Sequence, residues 1–251
     1  MTVLALEFPP IDHLTRWGDI GPGGLNKVGL IYIFAMVATL TLFLVGGSKK
    51  QMVPRGIQNI AESSVDFVRN QIIMPTMGAD GMGYLPFLAT MFFFILFSNL
   101  TEIIPFIQFP ANARIAMPMT LALLVWVIFN VVGFAKHGLH YLTGILFPPG
   151  VPKVLYVLVT PIEFVSVFFV RPLSLSVRLF ANMLAGHLIL VTFAVLCAAL
   201  WTLKVNLIIL PFTFTLLVGM TGFEVLVGFL QAFIFTILTA VYIGSSMHPE
   251  H

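Results

Sequence analysis

The sequence has 251 residues, of which 59% are hydrophobic and 9% are charged, and its formal net charge is +2. Soluble domains carry about a quarter charged residues, so this composition excludes a soluble domain and predicts a polytopic membrane protein. The small net charge and the lack of a basic cluster argue against nucleic-acid binding. The single cysteine, Cys197, excludes an internal disulfide, and its apolar neighbours indicate a small core residue.

The N-terminal segment 1–27 contains acidic residues and lacks the basic start and apolar run of a cleaved secretory signal. The first membrane span is predicted over 28–46. It consists of the apolar run Val28 to Val45, which ends in two glycines. About 18 apolar residues are enough to cross a bilayer, so we expect 1–27 to lie on one side of the membrane.

The segment 54–75 mixes apolar and charged residues and is too polar to span a membrane. Apolar residues every three to five positions are typical of an amphipathic helix at the membrane surface, although a short soluble helix fits the pattern equally well. The apolar positions are Ile57, Ile60, Val65, Val68 and Ile72.

Two further spans, Tyr84 to Ile107 and Ile115 to Lys136, form a predicted helical hairpin over 84–136. His137 and His140 follow it, three residues apart, as a pair of metal ligands can be. Because no third ligand is near them in the sequence, we expect interfacial histidines and no metal site.

The apolar runs Val154 to Leu203 and Val205 to Gly244 are each about twice as long as one bilayer crossing needs. No polar loop divides either run. We therefore predict two long, strongly tilted helices over 154–244, paired as a hairpin that turns near Trp201 to Asn206. The predicted fold is an all-α polytopic membrane protein with five membrane-embedded helices and one surface amphipathic helix. No internal repeat is visible, which argues against an inverted-repeat transporter.

The distribution of Lys and Arg orients the predicted spans. Six basic residues fall on one side and four on the other, and the doublet beside the first span strengthens this bias. The N-terminus is then outside and the C-terminus cytoplasmic. The six residues are Lys49, Lys50, Arg55, Arg69, Lys136 and Lys153; the four are Arg16, Lys27, Arg114 and Lys204.

The segment Arg171 to His187 places ionisable groups inside an apolar run. A guanidinium cannot lose its proton to escape a low-dielectric site, and one near a bilayer centre costs roughly 2.5–3.5 kcal/mol. Helix packing through small residues explains part of this segment but not Arg178. An ion pathway or a buried counter-charge is the better explanation. The residues that share one helical face are Ser174, Arg178, Asn182 and Gly186; His187 points to the opposite side.

The last helix carries Glu224, Gly228 and Gln231 on one face. A carboxylate in this setting takes up a proton or needs a partner. If the two long helices are antiparallel, His187 lies at a similar depth, and we predict that it is the partner of Glu224. Acid, imidazole and amide groups on several helices suit a proton relay, although a purely structural network is an alternative. Two more carboxylates lie within or near the spans, Glu102 and Glu163.

The sequence has no nucleotide-binding glycine loop, zinc motif or G-x-S-x-G motif. We therefore expect no cofactor and no covalent catalysis by this chain alone.

Three segments, 99–105, 172–187 and 230–243, resemble subunit a of the rotary ATP synthase, and the likeness extends over 84–242. The core Arg-Leu-Phe-x-Asn-x-x-Ala-Gly, which begins at Arg178, and the motif Leu-Gln-Ala-Phe-Ile-Phe around Gln231 are specific to that family. The resemblance implies a stator whose two long tilted helices curl around a rotating ring of c subunits.

The resemblance also implies roles for individual residues. Arg178 corresponds to the essential arginine that faces the ring carboxylate, displaces its proton and blocks a short circuit between two half-channels. Gln231 and Asn182 match the amides near that arginine. His187 and Glu224 correspond to positions that line the outer half-channel, where some relatives have Glu and His in the reverse order. Asn99 and Glu102 match an amide and an acid at its mouth, and Glu163 is a candidate for the cytoplasmic half-channel.

The partners that the resemblance implies are the c-subunit ring, the peripheral-stalk b subunits and the remaining subunits of the ATP synthase, within a lipid bilayer. The absence of a transit peptide favours a bacterial inner membrane, although a copy encoded in an organelle would have the same pattern. An independent ion channel or secondary transporter is the alternative function, and a structural membrane scaffold is a third. The sequence leaves the choice between proton and sodium open.

Overall fold

The structure is a computed structural model that describes residues 26–48, 55–104, 109–147, 155–202 and 209–247. Within these ranges the regular structure is helical, without a β-strand. The α-helices are α1 (Lys27–Ser48), α2 (Ile57–Val68), α3 (Met74–Met77), α4 (Leu85–Leu100), α5 (Ala116–His137), α6 (His140–Leu146), α7 (Tyr156–Val165), α8 (Arg171–Thr202) and α9 (Leu210–Met247).

Wider π-helical turns over Arg69–Ile73 and Ser166–Val170 join α2 to α3 and α7 to α8. Two 3₁₀ segments cover Gly78–Tyr84 and Ala111–Ala113. Among the described residues, five helical stretches are long and apolar enough to cross a membrane, which confirms the all-α polytopic fold. They are Lys27–Ser48, Ile57–Leu100, Ala116–His137, Tyr156–Trp201 and Leu210–Met247.

The helix boundaries fall close to the predicted ones for the first and third spans. Ile107, the predicted end of the second span, lies outside the described residues, and α4 ends at Leu100. The predicted turn between the long helices also lies largely outside them, since α8 ends at Thr202 and α9 begins at Leu210.

The segment predicted as a surface helix packs against the other helices more closely than its mixed apolar and charged pattern indicated. It continues through α3 into α4 as one helical stretch, interrupted at Gly78, whose φ of 64° lies in the left-handed region that favours glycine. Val68 and Ile72 are fully buried as the apolar pattern predicts, but Ile57 and Ile60 are exposed. The packed face instead contains Gln58, Ala61, Val68 and Ile72.

The core forms where α9 packs against α8, α4 and α5, while α4 also packs against α1. Small residues allow this close packing. A Cβ on Gly46 of α1 would overlap the side chain of Ala61 of α2, and one on Gly133 of α5 would overlap the ring of Tyr141. The largest fully buried side chains of α4 are Phe92, Leu88 and Ile95, all 1% exposed or less.

The two long helices α8 and α9 are antiparallel. Arg171 near the start of α8 lies over the ring of Tyr242 near the end of α9, with 5.2 Å between the guanidinium carbon and the ring centroid. Farther along α8, Gly186 contacts Glu224. Residues at the middle of α8 therefore lie beside the middle of α9, where the candidate functional residues are found.

Candidate functional site

Arg178 lies at the middle of the continuous helical stretch Tyr156–Trp201. Its side chain is half-buried, and across the described parts of the chain no carboxylate lies within ion-pair distance of its guanidinium. The neighbouring positions on the same helical face are not covered by any helix among the described residues. These exposed neighbours are Ser174, Val177, Ala181 and Asn182.

A buried, hydrogen-bonded pair of an imidazole and a carboxyl group lies on another side of α8. His187 Nδ1 is 3.0 Å from Glu102 Oε1, and the two side chains are 9% and 1% exposed. The second carboxylate oxygen, Glu102 Oε2, is buried and has no hydrogen-bond partner among the described residues. A buried acceptor of this kind can hold a proton or bind a water molecule.

Glu224 is buried within α9, and its carboxylate rests against the backbone of Gly186 on α8. The absence of a side chain at Gly186 makes room for it. A small adjoining cavity leaves about 10 Å³ for the centre of a water-sized molecule, which is close to the smallest space that holds one water. The cavity is lined by Asn99, Leu179, Asn182, Met183, Glu224, Val227, Gly228 and Gln231.

The amide residues of the site occupy different environments. Asn99 is buried and donates from Nδ2 to the carbonyl of Gly228, at 3.1 Å. Gln231 is also buried, whereas Asn182 reaches both the cavity and the uncovered face of α8. The cavity thus lies between the acidic residue Glu224 and the helix that carries Arg178.

The structure corrects one predicted contact. Glu224 lies at the depth of His187, as the spacing predicted, because it contacts the adjacent Gly186. The imidazole of His187, however, pairs with Glu102 from the end of the α4 segment and not with Glu224. The predicted pairing of His187 with Glu224 is therefore wrong.

Glu163 stands apart from these groups. It lies in α7 with a half-buried side chain and is not among the residues that line the cavity. No hydrogen bond or ion pair links it to the other candidate residues within the described ranges.

The histidine pair considered for a metal has other contacts. His137 Nε2 is 3.1 Å from the carbonyl of Met247, and His140 Nδ1 is 3.5 Å from the hydroxyl of Thr143. The part of the chain that the structure describes contains no group of three or more metal-binding side chains.

Sequence reasoning missed three residues beside the site: Tyr32, Ser98 and Asn112. Asn112 is 1% exposed and donates to Ser98 Oγ and Asn99 Oδ1, at 3.0 and 2.7 Å. Tyr32 from α1 lies 3.0 Å from Asn112 Oδ1. The available signal was an amide side chain in the short loop between two predicted spans.

Two comparisons with known proteins, one with family models and one with individual relatives, agree with each other. The family model described as "ATP synthase A chain" matches residues 29–244. Three similar relatives are described as ATP synthase subunit a. They come from Frankia alni (43% identical, 94% of this chain and 84% of the relative), Rhodococcus erythropolis (41%, 92% and 85%) and Rhodopseudomonas palustris strain BisB5 (44%, 88% and 87%).

Proposed function

Because the chain belongs to the ATP synthase A chain family, we propose that it is the stator that carries protons past the c-subunit ring of an F-type ATP synthase. In this role it performs no covalent chemistry of its own. It couples the flow of protons to rotation of the ring, and the rotation drives ATP synthesis elsewhere in the complex.

One observation supports this proposal above the others: among the described residues, Arg178 has no ion partner and its helical face is left uncovered. A guanidinium stays charged in a dry site, and an unpaired charge at the membrane centre is costly. A carboxylate on a neighbouring subunit would relieve that cost. A ring that brings successive carboxylates to Arg178 supplies such a partner, and each carboxylate releases its proton on arrival.

The other candidate residues fit the outer half-channel of such a stator. We assign Glu102, His187, Glu224 and Asn99 to it, since they are buried and lie within one or two contacts of each other. Their acid, imidazole and amide groups can pass protons through intervening water.

Gln231 and Asn182 are assigned to the region around Arg178, because both line the cavity beside α8. Glu163 remains our candidate for the cytoplasmic half-channel, on the resemblance alone. The proposed orientation has the N-terminus outside and the C-terminus in the cytoplasm, within a bacterial inner membrane and as one membrane domain over 1–251. The proposed partners besides the c-ring are the peripheral-stalk b subunits and the remaining subunits.

A rotary mechanism is also consistent with the free energy that each proton supplies. One proton that crosses 100 mV yields about 2.3 kcal/mol, far less than ATP synthesis requires. Several transfers must therefore be added together, and rotation past a fixed arginine does this.

The stator and the alternative independent channel differ in what the chain does without partners. We expect vesicles that carry the chain alone to conduct protons no faster than empty vesicles, because half of the pathway is missing. Vesicles that carry the whole complex should synthesise ATP when a proton gradient is imposed. Rapid proton flux through the isolated, correctly folded chain would favour a channel or transporter and contradict the proposal.

Packing at Gly186 offers a second test. A Cβ at this position would overlap the Glu224 carboxylate, so Gly186→Ala should displace that carboxylate. Overpacking of this kind destabilises the fold by about 1–3 kcal/mol. Because the carboxylate is displaced, we also expect ATP synthesis per assembled complex to slow by roughly ten- to a hundredfold. The matched control is Gly222→Ala on α9, where an added Cβ meets no atom within 4 Å. Equal rates of ATP synthesis by the two variants would show that Glu224 is not part of the proposed pathway.

A further inference from the structure

A line of buried hydrogen bonds connects α1 to α9 through the loop between α4 and α5. The hydroxyl of Tyr32 is 3.0 Å from Asn112 Oδ1. Asn112 Nδ2 donates to Asn99 Oδ1 at 2.7 Å, and Asn99 Nδ2 donates to the carbonyl of Gly228 at 3.1 Å. Asn112 and Asn99 are 1% and 3% exposed, so water does not replace these bonds readily.

The carbonyl of Gly228 sets the direction of every bond in this line. A carbonyl can only accept, so the amide of Asn99 must turn its N–H groups toward α9. Its oxygen then faces Asn112, which must present N–H groups in turn. The oxygen of Asn112 is left facing the hydroxyl of Tyr32, which shares its one proton between this oxygen, at 3.0 Å, and the carbonyl of Ala111, at 2.9 Å. A reversal of either amide would bring two acceptors together.

The direction of these bonds determines which polar group of Asn99 faces the cavity that it lines together with Glu224 and Gln231. The oxygen of Asn99 is engaged by Asn112, and one N–H is engaged by Gly228. The group that remains available is the second N–H. An N–H that faces this cavity can donate to a carboxylate or to a water molecule, whereas a carbonyl oxygen in the same place could only accept.

We propose that Asn112 is a positioning residue that acts through Asn99, holding the Asn99 amide with its N–H groups toward α9 and the Glu224 cavity. This inference rests on the proposed function, because it matters only if protons pass through that cavity. Tyr32 supports the same orientation from the far end of the line. Neither Asn112 nor Tyr32 lines the cavity, so both act at a distance from the transferred proton.

The alternative is that Asn112 merely anchors its loop, since it also donates to Ser98 Oγ at 3.0 Å. An anchor would affect how much complex assembles. It would not change how each assembled complex responds to pH, and its loss would add to the loss of Asn99, because the two defects would be independent.

The test is a double-mutant cycle on the whole complex in vesicles, read as ATP-driven proton pumping per assembled complex. We expect Asn112→Ala and Asn99→Ala each to slow pumping by about tenfold, within the range found for coupled residues. The double variant should also be about tenfold slower, not a hundredfold. Both single variants should change the pH profile of pumping in the same way.

A matched control is Asn130→Ala. Asn130 is a buried asparagine of α5 whose Nδ2 donates to the carbonyl of Trp126 within its own helix. Pumping per assembled complex should stay near the wild-type rate in this variant. If Asn112→Ala complexes do not assemble, the same cycle is run with Tyr32→Phe, which removes only the hydroxyl oxygen.

Additive losses, or pumping by Asn112→Ala at the wild-type rate and pH profile, would overturn the inference. An Arg178→Ala complex measured alongside separates this outcome from failure of the proposed function. If Arg178→Ala pumps normally, the proposed function fails. If Arg178→Ala does not pump while the Asn99 and Asn112 losses are additive, only the positioning role is wrong.

Discussion

Replacement of Arg178 by alanine is expected to stop proton-driven ATP synthesis while the complex still assembles. The guanidinium makes no ion pair with the described residues, so its loss removes no known contact that holds α8 in place. The interaction that disappears is the one with the ring carboxylate. Without the guanidinium nothing at this position displaces the proton of that carboxylate, and we expect a loss of rate of about a hundredfold or more, as when other preorganised electrostatic groups are removed.

The measurement is ATP synthesis in vesicles that carry the whole complex, with the amount of assembled complex determined on the same vesicles. Arg178→Lys distinguishes permanent charge from positive charge in general, because an ammonium loses its proton in a dry site far more readily than a guanidinium. We expect ATP synthesis by the Arg178→Lys complex to be severely impaired as well. Arg55→Ala, at an exposed arginine before α2, serves as the control for removal of one positive charge. Wild-type synthesis by an assembled Arg178→Ala complex would show that the arginine is structural.

The five spans were predictable from the sequence because apolar length alone distinguishes a membrane helix from other segments. The packed face of α2 was not. In a soluble helix, apolar residues mark the buried face, but in a membrane protein lipid accepts them equally well. Ile57 and Ile60 are exposed and Gln58 is buried, so apolar spacing could not identify the side that contacts α1.

The contacts within the candidate site could also be predicted only in part. Spacing along α8 and α9 predicted correctly that Glu224 lies at the depth of His187, because depth follows from helical rise. It could not predict which of two carboxylates the imidazole contacts, since that depends on where the end of α4 packs. The bonds of Asn112 join parts of the chain far apart in sequence, and periodicity within one helix carries no information about them.

Removal of one partner from the buried pair of His187 and Glu102 is expected to destabilise the complex, whereas removal of both should restore stability but not function. His187→Leu leaves the Glu102 carboxylate, whose side chain is 1% exposed, without its only described partner. Breaking a buried pair in this way costs about 3–5 kcal/mol. Replacement of both partners by apolar residues of similar volume is often neutral, so Glu102→Met combined with His187→Leu should denature near the wild-type temperature.

The comparison of these two variants separates a proton path from a structural network, which stability alone cannot do. If the pair only holds helices together, the double variant should regain ATP synthesis along with its thermal stability. If protons pass through the pair, synthesis should stay at least about tenfold below wild type, because neither leucine nor methionine can bind and release a proton. The unpartnered Oε2 of Glu102 favours the second outcome. An open acceptor can hold a proton or bind a water molecule, and a pair that only holds helices together does not need one.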